Sequence, residues 1–266
     1  MTHPFEVFGG KLSDSLLVAD GFALDAKEIS EKIISLRDEW TDRGHFWTLG
    51  TSAYIGGTHD GVMDILRKNE MLLENFKDVL LKAFQIIGVA AKSNVHPLIG
   101  AGLPGFHIVS NRANGKSGMF HVDIPYQNVK WPGPFVRPFT FTTLLAAPQV
   151  GAGLWYWDDM GIEEGAEIIE ATRNDTGTAE TPEEGRALLE YEIGKTYIHS
   201  GRFPHAIADM GEMEEDEYRI TLQGHGAFLP EEDRIAVYFR CSFPAHPDDA
   251  QCQGVSFRRM QHHLLT

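Results

Sequence analysis

Apolar residues recur at helical spacing in two stretches of the first hundred positions and alternate with polar ones afterwards. Asp25 followed by Glu28 is a capping-box pattern, and Ile29, Ile33, Leu36 and Trp40 then mark one face of an amphipathic helix. A second helical region opens at Asp60. Its apolar face carries Val62, Ile65, Leu66, Leu72, Leu73, Phe76, Val79, Leu80, Phe84 and Ile87, and Gly88 is the expected stop. Residues 1–24 read as short strands or coil. The Gly-rich stretch 44–61, with Trp47 and Tyr54, reads as a surface loop or a lid.

Beyond residue 100 the texture is that of strands. They are expected at 105–112, 118–126, 139–145, 153–157, 191–200, 204–209, 218–223 and 235–242, with Asn114-Gly115-Lys116-Ser117 as a turn between the first two. Residues 161–190 are rich in Glu, Thr, Ala and Gly and read as an acidic, mobile or partly helical insertion. Helices first and short antiparallel strands afterwards predict an α+β protein, a barrel or sandwich buttressed by helices. One domain is expected over 1–266. Within it, 1–100 is mainly helical support, 101–243 the strand core with its insertion, and 244–266 a tail.

Composition narrows the partners. The net charge of −15 disfavours nucleic acid and anionic membrane, both of which need a positive surface. No apolar run approaches the roughly 20 residues that span a bilayer, and the first residues lack a secretory signal pattern. Cys241 and Cys252 offer neither a disulfide framework nor a metal-ligand pair, so a cytoplasmic protein is expected, and a single domain with no protein- or nucleic-acid-binding module points to a small-molecule substrate. The oligomeric state is left open.

The chemistry concentrates in three places. In Met119-Phe120-His121-Val122-Asp123, strand geometry puts His121 and Asp123 on one face. His205 opens an apolar strand, with His199 and His225 as competing ligands nearby. In Tyr218-Arg219-Ile220-Thr221, Arg219 and Thr221 share a face, and an inward arginine is costly unless paired, so a bound carboxylate is expected there. Asn111, Tyr126, Gln127, Trp155 and Trp157 are candidates for shaping a substrate pocket, and His107 for lining it.

The ordered set His121-x-Asp123, His205, Arg219-x-Thr221 resembles the Fe(II)/2-oxoglutarate-dependent oxygenases. The resemblance spans roughly 105–225. It implies a double-stranded β-helix (jelly-roll) core with the N-terminal helices packed against its larger sheet. It further implies Fe(II) on His121, Asp123 and His205, the distal carboxylate of 2-oxoglutarate on Arg219 and Thr221, and O2 as the second cosubstrate. The implied outcome is hydroxylation of a small molecule, with succinate and CO2 released. Asp123 favours hydroxylation over halogenation, because related halogenases carry a small residue at that position. The readings left beside it are a cupin-like metal enzyme that needs no keto acid and a non-catalytic jelly-roll binding module.

Overall fold

The computed structural model describes residues 11–44, 46–51, 59–98, 101–111, 120–123, 131, 133–134, 136–172 and 181–239. Tyr126, Gln127 and the expected 244–266 tail lie outside the described residues, as do most of the strand expected at 118–126 and much of the Gly-rich stretch 44–61. In chain order the elements are β1 (Leu17–Asp20), α1 (Ala26–Ser35), β2 (Thr41–Asp42), β3 (Trp47–Leu49), α2 (His59–Ala91), β4 (Asn94–Pro97), β5 (Gly105–Ser110), β6 (Val136–Ala146), β7 (Leu154–Tyr156), α3 (Ile162–Thr172), β8 (Ala187–Leu189), β9 (Lys195–His199), β10 (His205–Ile207), β11 (Tyr218–Leu229) and β12 (Arg234–Tyr238).

The strands form two sheets. Among the described residues the larger has nine strands, running β1-β9-β6-β11-β5-β3-β2, with β12 on the far half of β11 and β4 beside β12. All its pairings are antiparallel except β4 with β12. The smaller sheet is β10-β7-β8. Strand β11 is the spine: its first half pairs β5, its second half pairs β12, and β6 flanks both.

Alternation gives the larger sheet two different faces. Phe106, Ile108, Phe139, Phe141, Ile198, Ile220 and Leu222 join Ile29, Ile33, Leu72, Phe76, Leu80 and Ile87 of the helices in one buried cluster. Burying each such side chain is worth about 1.5–3 kcal/mol, so the helices hold this face firmly. The opposite face carries His107, Thr140, Thr142, His199, Arg219, Thr221, Gln223 and His225. It is polar and forms one wall of the site, Thr140 reaching Asp123 across from it.

Three expectations need correction. The Asp25 side chain does not cap α1; it pairs with Lys82, and α1 ends at Ser35, so Trp40 lies beyond it with Nε1 donating to Ile33 O at 3.0 Å. Gly88 does not stop α2, which runs to Ala91. Lys92 then takes a positive φ of 54°, while Ser93 N donates to Gly88 O at 3.0 Å and Lys92 N to Val89 O at 3.3 Å. Strand β11 continues past Gln223 through Gly224 and Gly226. A Cβ there would meet the rings of Phe141 (2.7 Å) and Phe139 (2.4 Å), so these glycines are gaps that admit aromatic rings from β6, not breakers.

The insertion at 161–190 is partly helical, one of its two readings, and it also holds a strand that the composition does not suggest. Helix α3 opens it, and β8 near its end supplies the third strand of the smaller sheet.

Candidate metal centre

His121 and His205 form an isolated antiparallel bridge, each backbone N donating to the other's carbonyl at 2.9 Å. Two residues on, Asp123 N donates to Gly201 O at 2.9 Å. The segment therefore lies as an extended stretch against the chain leading into β10, and the period of two turns His121 and Asp123 the same way. Phe120, of opposite parity, is buried against Trp157.

The result is a cluster of three ligand groups. The Asp123 carboxylate meets His121 Nε2 at 3.7 Å through Oδ1 and His205 Nε2 at 3.5 Å through Oδ2. The ligand atoms of all three lie within 4.8 Å of one another. His205 is buried, whereas the His121 side chain is 43% exposed, so among the described residues the cluster is open on the His121 side.

Hydrogen bonds prepare these groups for a cation. His205 Nδ1 lies 2.8 Å from the Phe203 carbonyl, which can only accept, so Nδ1 carries the proton and Nε2 presents its lone pair to the cluster. Burial by itself would raise the Asp123 carboxyl; His205, His225 and His121 outweigh it and hold it well below the usual carboxylate range. Burial would lower the His205 imidazole, and Asp123 with the Phe203 carbonyl reverses that. Two imidazoles and one ionised carboxylate converging this way are the donor set of a mononuclear non-haem iron site with open positions.

No protein-family model and no curated protein matches this sequence. Solved structures do. An N-substituted L-amino acid dioxygenase from Burkholderia ambifaria is 14% identical, with a TM-score of 0.50 over 85% of this chain and 86% of that one. HygX from Streptomyces hygroscopicus, solved with nickel and 2-oxoglutarate bound, is 10% identical, with a TM-score of 0.47 over 80% of this chain and 83% of that one. The chain shares the fold of that amino acid dioxygenase.

Within this fold, Arg219 and Thr221 sit on the inward face of β11, both fully buried. Arg219 Nε donates to Ala152 O at 3.2 Å, and the guanidinium carbon stands 5.9 Å from the Tyr191 ring centroid. Nη1 is buried without a hydrogen-bond partner among the described residues. Burial lowers the guanidinium to about 10, partly offset by Tyr191, so Arg219 remains a cation at neutral pH. Gln223 Nε2 donates to Thr221 Oγ1 at 3.0 Å, which leaves the Thr221 proton free to donate. The unmet donor beside a free hydroxyl fits an incoming carboxylate.

The other candidates separate. Asn111 lies just past β5, exposed, accepting from Ser110 Oγ at 3.4 Å. Trp155 and Trp157 are not brought to the triad. Tyr156 is the residue paired with His205 across β7 and β10, so parity sends both tryptophans to the opposite face of the smaller sheet. There Trp157 packs against Phe120 and donates to Glu184 O at 2.9 Å, while Arg186 stacks over Trp155. Facing inward are Tyr156, whose ring meets Phe203, and Tyr191. The sequence pattern marks Tyr191 only as a strand start. Burial raises its hydroxyl, which bonds Thr142, so it stays neutral beside Arg219.

Neither competing histidine joins the cluster. His199 accepts the Gly201 N–H through Nδ1 at 3.1 Å, and His225 Nδ1 lies 3.0 Å from Thr140 Oγ1. His107 pairs in register with Thr221; burial, aided by Arg219 and His225, pushes it down to about 3, and its Nε2 is buried without a hydrogen-bond partner among the described residues.

Burial together with His205 pushes His199 down to about 3 as well. A histidine whose folded pKa lies below its ordinary value near 6.5 contributes stability that is whole above pH 6.5 and lost as pH falls toward 3. The expected loss is about 1.4 kcal/mol per pH unit across that window. Denaturant titrations of the metal-free protein at stepped pH should show a slope shallower by about that amount in His199→Gln. An identical slope would mean that His199 is already protonated in the fold.

Proposed function

We propose that this protein is an Fe(II)- and 2-oxoglutarate-dependent oxygenase that hydroxylates a small molecule, a free amino acid or a natural-product intermediate. The observation that carries the reading is the meeting of two features between the two sheets. One is the His121, Asp123 and His205 cluster, and the other is the buried Arg219 with an unmet Nη1 donor. Either alone has ordinary explanations; together they match a metal and a dicarboxylic keto acid.

The three ligand residues would hold Fe(II). Arg219 and Thr221, with the neutral Tyr191 beside them, would hold the far carboxylate of 2-oxoglutarate. When bound, iron, keto acid and O2 supply the oxidising power: one oxygen atom ends in the substrate C–H bond and the other in succinate, with CO2 released. The chain's own part is positional. Asp123 contributes negative charge, which reduces the net charge of the bound metal. His205, buried and fixed by Phe203, closes the back of the cluster. His121, on the open side, leaves a path for substrate. Polar inward residues at known places orient the reactants, and the helix-backed sheet keeps them there.

Support for a small substrate comes from the amino acid dioxygenase that shares the fold, named for N-substituted L-amino acids. The net charge of −15 disfavours nucleic acid as a substrate.

The test is anaerobic. Fe(II) added with 2-oxoglutarate should give a weak visible charge-transfer absorption that iron alone does not. Metal uptake with no colour from the keto acid would favour a cupin-like enzyme. Absence of metal uptake would leave a binding module.

A further inference from the structure

The triad was legible in the chain, but what holds its carboxylate in place was not. Thr140 lies at the centre of a row crossing three strands of the larger sheet, with His225 of β11 on one side and His199 of β9 on the other. Thr140 Oγ1 is 2.6 Å from Asp123 Oδ2 and 3.0 Å from His225 Nδ1. An ionised carboxylate only accepts, and threonine has a single O–H, so the proton directions are fixed. Thr140 donates to Oδ2, and His225 Nδ1–H donates to Thr140. The His225 ring is itself held, stacked on Phe239 at 5.8 Å and 18°.

The other side of the row secures the backbone. His199 accepts the Gly201 N–H, and the Gly201 carbonyl accepts the Asp123 N–H. Gly201 adopts φ +64°, and an added Cβ would come within 2.7 Å of Asp123 Cβ and 2.8 Å of Thr140 Oγ1. Only glycine allows that approach. Asp123 is thus gripped twice, at its amide through Gly201 and at one carboxylate oxygen through Thr140.

We infer that Thr140, backed by His225, is a positioning residue that reserves Oδ2 of Asp123 and so makes the carboxylate a one-oxygen metal ligand. The inference rests on the metal-site reading above. Its consequence is stoichiometric. A carboxylate can coordinate through one oxygen or two. With one, three protein ligands leave three of six positions open, enough for a chelating keto acid and O2. With two, only two remain, and the keto acid would fill both. Thr140 therefore sets how many positions are open, although it touches no metal itself.

The experiment uses Co(II), whose visible spectrum reports coordination, on the whole chain. Thr140→Val keeps the β-branched shape and loses the hydroxyl; Thr140→Ser keeps the hydroxyl. In Thr140→Val, Co(II) affinity should fall about 10–100-fold, the usual effect of losing an outer hydrogen bond to a ligand, and the spectrum should change. Thr140→Ser should return both to wild type. His225→Phe preserves the ring stack, removes the donor and should shift the spectrum in the same direction. It also serves as the test if Thr140→Val does not fold. A folded Thr140→Val with wild-type affinity and spectrum would overturn the inference, as would a serine variant that behaves like valine. Wild-type protein that takes up no Co(II) would instead remove the metal-site reading, and this inference with it.

Discussion

Asp123→Ala is expected to abolish turnover that depends on Fe(II) and 2-oxoglutarate, and to remove tight metal uptake with it. The reason lies in the charge balance of the cluster. Asp123 is the only acidic member of a group whose other two are imidazoles, and His205 is raised chiefly because that carboxylate stands beside it. Without it, two neutral imidazoles face a dication and nothing lowers its charge. The substitution also strands neighbours: the Thr140 hydroxyl loses its acceptor and His205 Nε2 its counter-charge. A buried polar group left unsatisfied costs about 1–3 kcal/mol, so the metal-free variant should melt measurably lower as well. Isothermal titration with Co(II) and a thermal melt separate the two losses. A variant that melts lower yet binds Co(II) like wild type would show that the carboxylate is structural. One unchanged in both melting and Co(II) binding would remove Asp123 from the site.

How much of this was legible in the chain differs from residue to residue. His121 and Asp123 were placed on one face by the period of two alone, and the structure brings them together. Arg219 announced itself by sitting at an inward position in an apolar strand, where a lone cation is expensive. Thr140 gave no comparable signal. In Phe139-Thr140-Phe141-Thr142 the alternation shows a strand, but the phenylalanines draw attention to the helix-facing side. Nothing local says that the threonines face a carboxylate held by a segment 17 residues earlier. His225 suffers likewise: its partner is fixed by strand register, which is a tertiary fact.

The errors have the same origin. Trp155-Tyr156-Trp157 is aromatic at every position, so composition cannot say which parity is inward. Pairing with His205 decides for Tyr156. Strand β8 is three residues long, largely exposed and flanked by Arg186 and Glu190, and it pairs along the edge that β7 offers. Asp25 had a capping partner in sequence, yet Lys82 on α2 competes for the carboxylate and wins. Local pattern proposes and long-range geometry selects, most visibly where a residue is short, polar or symmetric in its context.

Arg219→Ala should separate the two halves of the proposed site, leaving metal binding intact while raising the 2-oxoglutarate requirement steeply. A charge-assisted hydrogen bond to a buried carboxylate is worth about 1.5–3 kcal/mol, or roughly 10- to 150-fold in affinity. The structure argues for the upper part of that range. The guanidinium is fully buried, its Nη1 has no partner among the described residues, and the nearest aromatic contact, Tyr191, is neutral. The cation is therefore desolvated before the ligand arrives, and binding forfeits little hydration. Arg219→Lys should rescue poorly, because an ammonium cannot donate to Ala152 and a carboxylate in the same planar arrangement. Thr221→Ala should cost less, since it removes one neutral donor already supported by Gln223. The keto acid concentration that half-saturates the Fe(II) charge-transfer absorption measures all three variants without knowledge of the substrate. Equal half-saturation in wild type and Arg219→Ala would mean that another cation anchors the keto acid, and that the buried guanidinium serves the fold through Ala152 and Tyr191 alone.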